Sequence, residues 1–522
     1  MASPAQRKDE ILIMGGGPSG LLFAHELLRR RVPVRVIEKR QPRDDDSCPF
    51  DGDVRPHGAG QPARGDLSRV SWRYLLLSAS AGGAMSADGL LSPPHKISQN
   101  DFEQALCELI FSKYSTGPEY RTELEALEQD DQGVTASIRL PDGAVEKSVY
   151  PWVVGCDGVH SFVRKAAGIK FDGGKVAVMK TSPLTTWMNY YFNKDLFMNC
   201  TKMPGKYWRI YMSEPTGEYF FAPDQQKAYQ EVADKLGIGF KVGKPHWQTA
   251  WDVRNNIAEK YRNSRLIICG DASHVHSPSG GQDMNGCMQD AFNLGWKLAA
   301  VFKGQANDSI LDSYEKERKP IGSQISKGAM ATHEIVMGFG IPPEERLHLT
   351  QESDWEWRTI NLVSGLSHNY RDVVNVPVGL TPVPGPQAGE RAPRCASPRR
   401  AETASFTLLV APGTTAPDEV IDIGAQVRDQ LDQLFPGQVS TYLVSKRADH
   451  DHDPRFDFDH QSQDELDEFT KRYEIGPEGR LILVRPDLYI GMACLPREWE
   501  AVAKYLSQWF VRRDVNGQAE VA

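Results

Sequence analysis

The sequence lacks the features of several large classes of protein. Its eight cysteines include no C-x-x-C pair and no spacing typical of metal ligands, which argues against a redox dithiol, a zinc site or a disulfide framework. No uncharged apolar run is long enough to span a bilayer, and the opening residues MASPAQRKDE contain no apolar signal-peptide core. We therefore expect a cytoplasmic chain with reduced thiols.

An excess of positive charge is also missing. The formal net charge is −9 and the pI is near 5.9, so the chain has no basic footprint for nucleic acid or an anionic membrane. No internal repeat is visible. What is present is an ordinary globular composition, 40% hydrophobic and 25% charged over 522 residues. This length predicts roughly two to four domains.

The clearest local pattern spans residues 10–39. Residues 10–14 predict a buried strand, residues 19–31 a helix, and residues 34–37 a second strand that ends on Glu38. The intervening turn has the G-x-G-x-x-G spacing, in which the glycines allow a tight turn, close approach of a pyrophosphate and close helix packing. Glu38 can accept hydrogen bonds from a ribose hydroxyl. This βαβ unit predicts an adenine dinucleotide site, FAD or NAD, with its glycines at Gly15, Gly17 and Gly20.

A second motif lies in the segment VVGCDGVHSFVRKAAGI. A buried strand leads to an Asp-Gly pair, and Ser161 is a good N-cap residue for the helix that follows. Asp157, Gly158, Ser161 and Arg164 fill every fixed place of the pattern D-G-x-x-S-x-x-R. The segment resembles the DG motif of the group A flavoprotein monooxygenases, the para-hydroxybenzoate hydroxylase and phenol hydroxylase family.

A third motif lies in RLIICGDASHVHSPSGGQDMNGCMQDAFNLGWKLAAVFKG, which predicts a strand, a loop rich in Gly and Pro, and a helix from near Met284 to Gly304. It resembles the family's second flavin motif, G-D-A-x-H followed by P-x-x-G-x-G-x-N. The resemblance implies that Asp271 binds ribityl hydroxyls and that Pro278 lies beside the reacting edge of the flavin. It also implies backbone donors between Gly281 and Asn285. We expect His274 to be a structural loop histidine. Asp283 stands where the family usually has glycine.

The resemblance implies that the dinucleotide is FAD. No second dinucleotide fold is visible, whereas a pyridine-nucleotide disulfide reductase would need one together with a redox-active cysteine pair. NADPH or NADH is implied as a transient co-substrate, and no metal is expected. The expected FAD contacts are Gly15, Gly17, Gly20, Glu38, Gln99 (ahead of a helix predicted over residues 101–111), Asp157, Arg164, Asp271, Pro278, Gly281, Met284 and Asn285.

Residues 41–94 are the least regular part of the chain. They contain an acidic run at 44–46, many glycines and prolines, and little periodicity. A loop of this length inside a compact domain is uncommon. The family places an arginine-bearing strand and helix here. Two explanations stay open, namely true divergence and an error in the gene model.

Residues 172–264 are rich in aromatic side chains, with strand-like segments such as 207–212 and a helix expected near 224–236. The block looks like the family's inserted substrate domain, whose sheet covers the flavin. The base that deprotonates the substrate is not identified. Three tyrosines are candidates: Tyr190, Tyr211 and Tyr219.

The C-terminal part predicts a separate domain after a Pro/Gly-rich linker at 376–400. Its elements follow the order βαβαββα, which is that of the thioredoxin fold. Neither Cys395 nor Cys494 has a partner at C-x-x-C spacing, so redox work is not expected. Phenol hydroxylase-like enzymes carry such a redox-dead domain, often at a subunit interface, and a homodimer through this domain is therefore implied.

The fold class we expect is α/β, with a Rossmann-like FAD-binding domain, an inserted mixed-sheet substrate domain and a C-terminal thioredoxin-like domain. The expected segments are the first part of the FAD-binding domain at 1–171, the substrate domain at 172–264, the second FAD part with helices at 265–345, a connecting segment and linker at 346–400, and the thioredoxin-like domain at 401–522.

The activity implied by the resemblance is hydroxylation of a phenolic or polyketide-like aromatic substrate by an FAD-dependent monooxygenase, through a flavin hydroperoxide, with NAD(P)H and O₂ as co-substrates. Three alternatives remain. The same scaffold can carry out a Baeyer–Villiger oxygen insertion, or act as an FAD dehydrogenase or oxidase without oxygen insertion. The chain can also be a catalytically impaired FAD-binding protein, because residues 41–94 show no recognisable match to the family.

Overall fold

The structure is a computed structural model. It describes residues 5–42, 99–182, 189–202, 208–215, 218–219, 222–239, 241–245, 249–278, 282–339, 345, 365, 367–393, 404–444 and 463–512. The irregular stretch 41–94 lies outside the described residues except for its first two. The chain divides into two compact units: the first contains residues 1–25, 34–291 and 319–367, and the second contains residues 26–33, 292–318 and 368–522. The division into five segments expected from the sequence remains a prediction.

The first unit is built on a six-stranded sheet that is parallel except at one edge pair. Residues 11–13 are fully buried, as is usual for a parallel strand packed on both faces. The carboxyl ends of the parallel strands meet at one edge of the sheet, where ligands bind in this class of fold. In spatial order the strands are Arg262–Asn263, Leu266–Ile268, Val153–Gly155, Ile11–Met14, Val34–Glu38 and Pro118–Tyr120.

A second sheet of the first unit contains most of the predicted substrate region, and every described strand pair in it is antiparallel. The mixed sheet expected here is therefore corrected to an antiparallel one. Its order is Asn189–Phe192, Phe197–Lys202, Trp208–Ser213, Phe171–Ser182, Thr249–Ala258 and His274–Val275. The last strand, His274–Val275, belongs to the third sequence motif, so this motif is hydrogen-bonded directly to the sheet.

A smaller four-stranded sheet completes the first unit, with Ala5–Gln6, Val145–Tyr150, Gly133–Arg139 and Glu123–Asp130 in that order. The helix predicted at 19–31 is observed at Pro18–Leu28, and it ends early because Arg31 adopts a left-handed conformation with φ of 59°. The described helices are Pro18–Leu28, Gln99–Tyr114, Phe162–Ala166, Gln225–Lys235, Asp283–Phe302, Asp312–Met337, Pro417–Leu434, Gln463–Arg472 and Glu500–Leu506.

The C-terminal sheet belongs to the second unit. Its order is Val439–Leu443, Phe406–Ala411, Arg480–Val484 and Ile490–Cys494. The first pair is parallel and the other two are antiparallel. The predicted element order βαβαββα is therefore observed, although the final helix is shorter than expected. In place of one helix at 496–510 there is a 3₁₀ turn at Pro496–Glu498 followed by Glu500–Leu506.

The second unit also contains a buried ionic cluster. Both guanidinium Nη atoms of Arg485 lie 2.7 Å from the Glu317 carboxylate, and Lys297 Nζ lies 2.7 Å from the same group. These two cations hold the pKa of Glu317 far below its usual range despite burial. Arg485 also pairs with Asp487 at 2.6 Å, so the charges in this cluster compensate one another.

Two negative findings hold for the described part of the chain. Among these residues no helix has both the length and the apolar composition needed to cross a membrane. No disulfide joins the six cysteines that the described ranges contain.

Candidate active site

A cavity of about 540 Å³ lies at the carboxyl ends of four parallel strands of the first unit. Its lining comes from the turns that follow those strands, so segments far apart in sequence meet there. The cavity therefore unites all three motifs. These lining residues are Gly15, Gly17, Pro18, Ser19, Glu38, Lys39, Arg40, Cys156, Asp157, Gly158, His160 and Asp271, and the helices add Gln99, Glu103, Asp283, Met284 and Cys287.

The first motif forms the predicted tight turn. Gly15 has φ of 100°, and a Cβ there would lie 2.3 Å from the carbonyl oxygen of Cys156. A Cβ on Gly20 would lie 1.9 Å from the carbonyl oxygen of Gly15. Gly17 differs, because a Cβ there would meet no atom of the other described residues within 4 Å. Packing thus requires glycine at two of the three positions, and the third faces open space in which a ligand can approach the backbone.

Glu38 is joined to the glycine turn. Its Oε2 accepts a hydrogen bond from the backbone N–H of Gly16 at 2.7 Å, and its Oε1 accepts one from the backbone N–H of Arg40 at 3.0 Å. A carboxylate has about four acceptor sites, so capacity remains for a ligand hydroxyl. Glu38 therefore has a structural role in the turn besides the predicted contact with ribose.

Arg40 and Glu103 were missed by the sequence reasoning. Arg40 Nη2 donates to Glu103 Oε2 at 2.9 Å and to the carbonyl oxygen of Gly16 at 3.2 Å. Gln99 Nε2 donates to Glu103 Oε1 at 2.8 Å. All three side chains line the cavity. The spacing of Gln99 and Glu103, one helical turn apart, was the available signal, but their approach to Arg40 crosses 63 residues of sequence.

The second motif caps a short helix. Asp157 Oδ2 accepts hydrogen bonds from the backbone N–H groups of Phe162 at 2.6 Å and Val163 at 3.2 Å. Ser161 Oγ accepts one from the N–H of Arg164 at 3.0 Å, as its N-cap position predicts. Burial raises the pKa of Asp157 above its usual range. Asp157 and Gly158 both line the cavity.

Arg164 is not among the described residues that line the cavity, and its expected contact with the cofactor stays a prediction. Its guanidinium is buried and donates to the carbonyl oxygens of Ala272 and Val159, both at 2.8 Å. It also lies over the ring of Phe171 at 3.8 Å. Arg164 therefore ties the loop of the second motif to the loop of the third.

Two acidic side chains of the third motif meet in the cavity. One carboxylate oxygen of Asp271, one of Asp283 and the Sγ of Cys287 all lie within 4.8 Å of one another. Cys287 Sγ donates a hydrogen bond to Asp271 Oδ1 at 3.0 Å. Burial and the neighbouring Asp283 raise the pKa of Asp271 to about 6. Partial burial raises the pKa of Asp283 to about 6 as well, against an opposing effect of His274. The side chain of Asp283 thus faces the cavity beside Asp271.

Only some of the other cofactor contacts expected in the third motif line the cavity. The helix begins at Asp283, one residue before the expected start, and Met284 lines the cavity. Asn285 is buried and Pro278 is half-buried, and neither is among the described lining residues. Gly281 lies outside the described residues. The N-terminal end of this helix still faces the cavity, where its dipole favours negative charge.

His274 lies behind the cavity wall. It is fully buried, and its Nε2 is 2.7 Å from Asp290 Oδ2, which also accepts the backbone N–H of Gly270 at 3.3 Å. This supports the expected structural role rather than a catalytic one.

None of the three candidate tyrosines gains support as a base. Arg209 Nη1 donates to the hydroxyl of Tyr211 at 3.1 Å, and Lys235 Nζ donates to that of Tyr219. Neither tyrosine is among the lining residues that the structure describes. The side chain of Tyr190 lies outside the described part.

Comparisons with known proteins agree with this geometry. Residues 54–329 match the family model described as "FAD binding domain", which begins inside the irregular stretch. The chain is 33% identical over 523 residues to pentachlorophenol 4-monooxygenase of Sphingobium chlorophenolicum, covering 94% of each chain. It is 30% identical over 369 residues to 6-methylpretetramide 4-monooxygenase of Streptomyces rimosus, covering 64% of this chain and 63% of that one. The solved structure of CabE, an aromatic hydroxylase from angucycline biosynthesis, aligns with a TM-score of 0.65 at 24% identity over 93% of this chain and 96% of that chain, a likeness that bears on the fold alone.

Proposed function

Because the chain belongs to the family of FAD-dependent aromatic monooxygenases, we propose that it hydroxylates a phenolic or polyketide-like aromatic substrate at the cavity in which its three motifs meet. FAD is its cofactor, and NAD(P)H and O₂ are the co-substrates typical of the family. The observation that carries the proposal is the convergence of the three motifs on one cavity. The likeness to pentachlorophenol 4-monooxygenase over 94% of the chain supports a phenolic substrate.

The lining residues fit the parts of FAD by their chemistry. The open space beside Gly17 suits a pyrophosphate, and the spare acceptor sites of Glu38 suit ribose hydroxyls. Asp283 Oδ1 has no hydrogen-bond donor among the described residues, and Asp271 lies beside it in the lining, which suits the hydroxyl-rich ribityl chain. Bound FAD supplies the redox chemistry: it takes two electrons from NAD(P)H and activates O₂, of which one atom enters the substrate and the other leaves as water.

The chain itself holds and shields the cofactor. Arg164 fixes the loops of the second and third motifs against each other, and Asp290 fixes the third motif through Gly270 and His274. The strand His274–Val275 connects the same loop to the antiparallel sheet of the substrate region. We propose that this sheet covers the flavin and keeps water from the reacting edge.

The proposal is tested by following NADPH and NADH oxidation with and without a panel of phenols, including chlorinated ones. A phenol that accelerates oxidation and gains one ¹⁸O from labelled O₂ on its ring supports hydroxylation. An ester or lactone product indicates Baeyer–Villiger insertion, and oxidation without ¹⁸O in the product indicates a dehydrogenase or oxidase. If neither a phenol nor a hydroxylated aromatic polyketide accelerates oxidation by the FAD-loaded protein, the proposed activity is wrong.

The C-terminal domain is proposed to be thioredoxin-like and redox-inactive, on the support of its sheet order and of Cys494. This thiol is fully buried, and burial raises its pKa to about 12, so it is not a reactive thiolate at neutral pH. We further propose a homodimer through this domain and a cytoplasmic location. Light scattering of the purified full chain at several concentrations tests the dimer, and a monomer throughout would refute it.

A further inference from the structure

A second cavity lies in the unit formed by residues 26–33, 292–318 and 368–522, and it has a volume of about 350 Å³. It shares no lining residue with the flavin cavity. Four basic side chains line it, and the described lining contains no carboxylate. The volume falls in the range of small-molecule sites, about 300–1,000 Å³. The basic residues are Arg29, Arg30, Arg31 and Lys303.

The charges around this cavity are not balanced. Arg29 Nε lies 2.8 Å from Glu26 Oε1, and Arg30 Nη1 lies 2.6 Å from Glu26 Oε2, so two arginines share one carboxylate. Within the described part of the chain, neither Arg31 nor Lys303 has a salt-bridge partner. Partial burial together with the charges of Arg30 and Arg31 lowers the pKa of Lys303. An anion in the cavity would relieve this repulsion.

Side chains that line this cavity also contain buried hydrogen-bond donors that lack an acceptor. Arg30 is 6% exposed, and its Nε and Nη2 have no hydrogen-bond partner among the described residues. Trp296 is 5% exposed, and its indole Nε1 lacks a partner in the same way. All three atoms are donors. Buried donors without acceptors are costly, so a ligand suited to this cavity would bring acceptor oxygens.

Aromatic rings form the apolar part of the wall. Trp296 and Phe406 meet edge to face at a centroid distance of 5.3 Å, and Phe406 meets Phe510 in the same manner at 5.7 Å. Such a wall suits the carbon frame of an organic ligand better than a bare inorganic ion.

We propose that this cavity binds an organic anion, whose phosphate or carboxylate oxygens accept hydrogen bonds from the arginines and Lys303 and whose carbon frame packs on the aromatic wall. The site is independent of FAD and of the oxygenation proposed above. Arginine forks match both phosphate and carboxylate oxygens, so these two groups are the chemistry to be distinguished.

The test is calorimetric titration of the FAD-loaded full chain with phenyl phosphate and, separately, with benzoate, at constant ionic strength, because each probe joins one of the two anionic groups to an aromatic carbon frame. We expect saturable binding of at least one probe, and the stronger probe identifies the anionic group. Replacing two exposed cations together, Arg31→Gln with Lys303→Gln, should weaken that binding at least about tenfold.

The matched control is Lys316→Gln with Lys504→Gln, which removes the same charge from exposed positions of the same unit that do not line the cavity. It should leave binding unchanged. FAD content together with urea unfolding of the full chain reports folding in every variant. Absence of saturable binding in the unmodified protein overturns the proposal. Equal weakening in the test and control variants also overturns it, because the effect would then come from overall charge.

Discussion

A carboxylate oxygen of Asp271 lies within 4.8 Å of one of Asp283, and both side chains face the cavity assigned to FAD. The sequence resemblance placed glycine, which has no charge, at the second position. The protein therefore brings two acids to the cavity in which we propose that the flavin is bound and reduced.

The first prediction is that Asp283→Asn raises the reduction potential of the bound flavin and speeds its reduction by NAD(P)H, because a negative charge facing the cavity opposes electron uptake. Solvent in the cavity screens this charge, since the Asp283 side chain is 43% exposed. We expect a rise of about 30 mV, roughly 1.4 kcal/mol for a two-electron couple. Spectroelectrochemical titration with substrate bound measures it.

Asp283→Gly, which restores the residue typical of the family, should act in the same direction. Asp131→Asn changes the charge at an exposed position away from the cavity and serves as the control. Equal potentials in all four proteins would show that Asp283 exerts no electrostatic effect on the flavin.

The second prediction concerns pH. The pKa values of Asp271 and Asp283 are raised to about 6, above the usual value for Asp. Their contribution to the stability of the FAD-free protein is therefore fully present at low pH and is lost as the pH rises from about 4 through 6. Asp283→Asn removes one of the two carboxyl groups and therefore part of the stability loss at higher pH.

The melting temperature of the FAD-free variant should thus exceed that of the unmodified protein by about 2 °C at pH 7, with the difference vanishing near pH 4. Differential scanning fluorimetry across this range measures it. A constant difference at every pH would contradict the assignment, since it would indicate an effect of packing rather than of charge.

The third prediction is that Glu38→Gln weakens FAD binding about tenfold and that Glu38→Arg weakens it more. The amide retains one acceptor oxygen, whereas arginine retains none and also places a donor beside the N–H of Gly16. The dissociation constant is measured by fluorescence after FAD release. Glu128→Gln, at an exposed position of the small sheet, is the matched control. Unchanged affinity in both Glu38 variants would remove Glu38 from the site.

The fourth prediction is that Arg164→Met destabilises the protein by about 2–4 kcal/mol and weakens FAD binding. The substitution leaves the carbonyl oxygens of Ala272 and Val159 without their donor and frees the two motif loops from each other. Urea unfolding and FAD titration measure the two effects. Lys170→Met, at an exposed position nearby in sequence, should change neither. A loss of FAD affinity without any loss of stability would instead indicate direct contact with the cofactor.

The sequence by itself determined the local architecture of the site. The strands and the glycine turn were predictable because burial periodicity and backbone sterics act over a few residues. Gly15 adopts a φ of 100°, and a Cβ on Gly20 would meet the carbonyl oxygen of Gly15 within the same turn. The capping role of Ser161 is local in the same sense. The order of elements in the C-terminal domain also followed from short-range patterns.

The tertiary structure decided which side chains meet. The hydrogen bond from Arg164 to Ala272 joins residues 108 positions apart and is supplied only by folding. Arg40 reaches Glu103 across 63 residues, and Arg485 reaches Glu317 across 168. Pairings of this kind depend on how whole helices and strands pack against one another, and the periodicity of the sequence does not predict them. The direction of the Asp283 side chain and the cationic cavity of the second unit were decided in the same way.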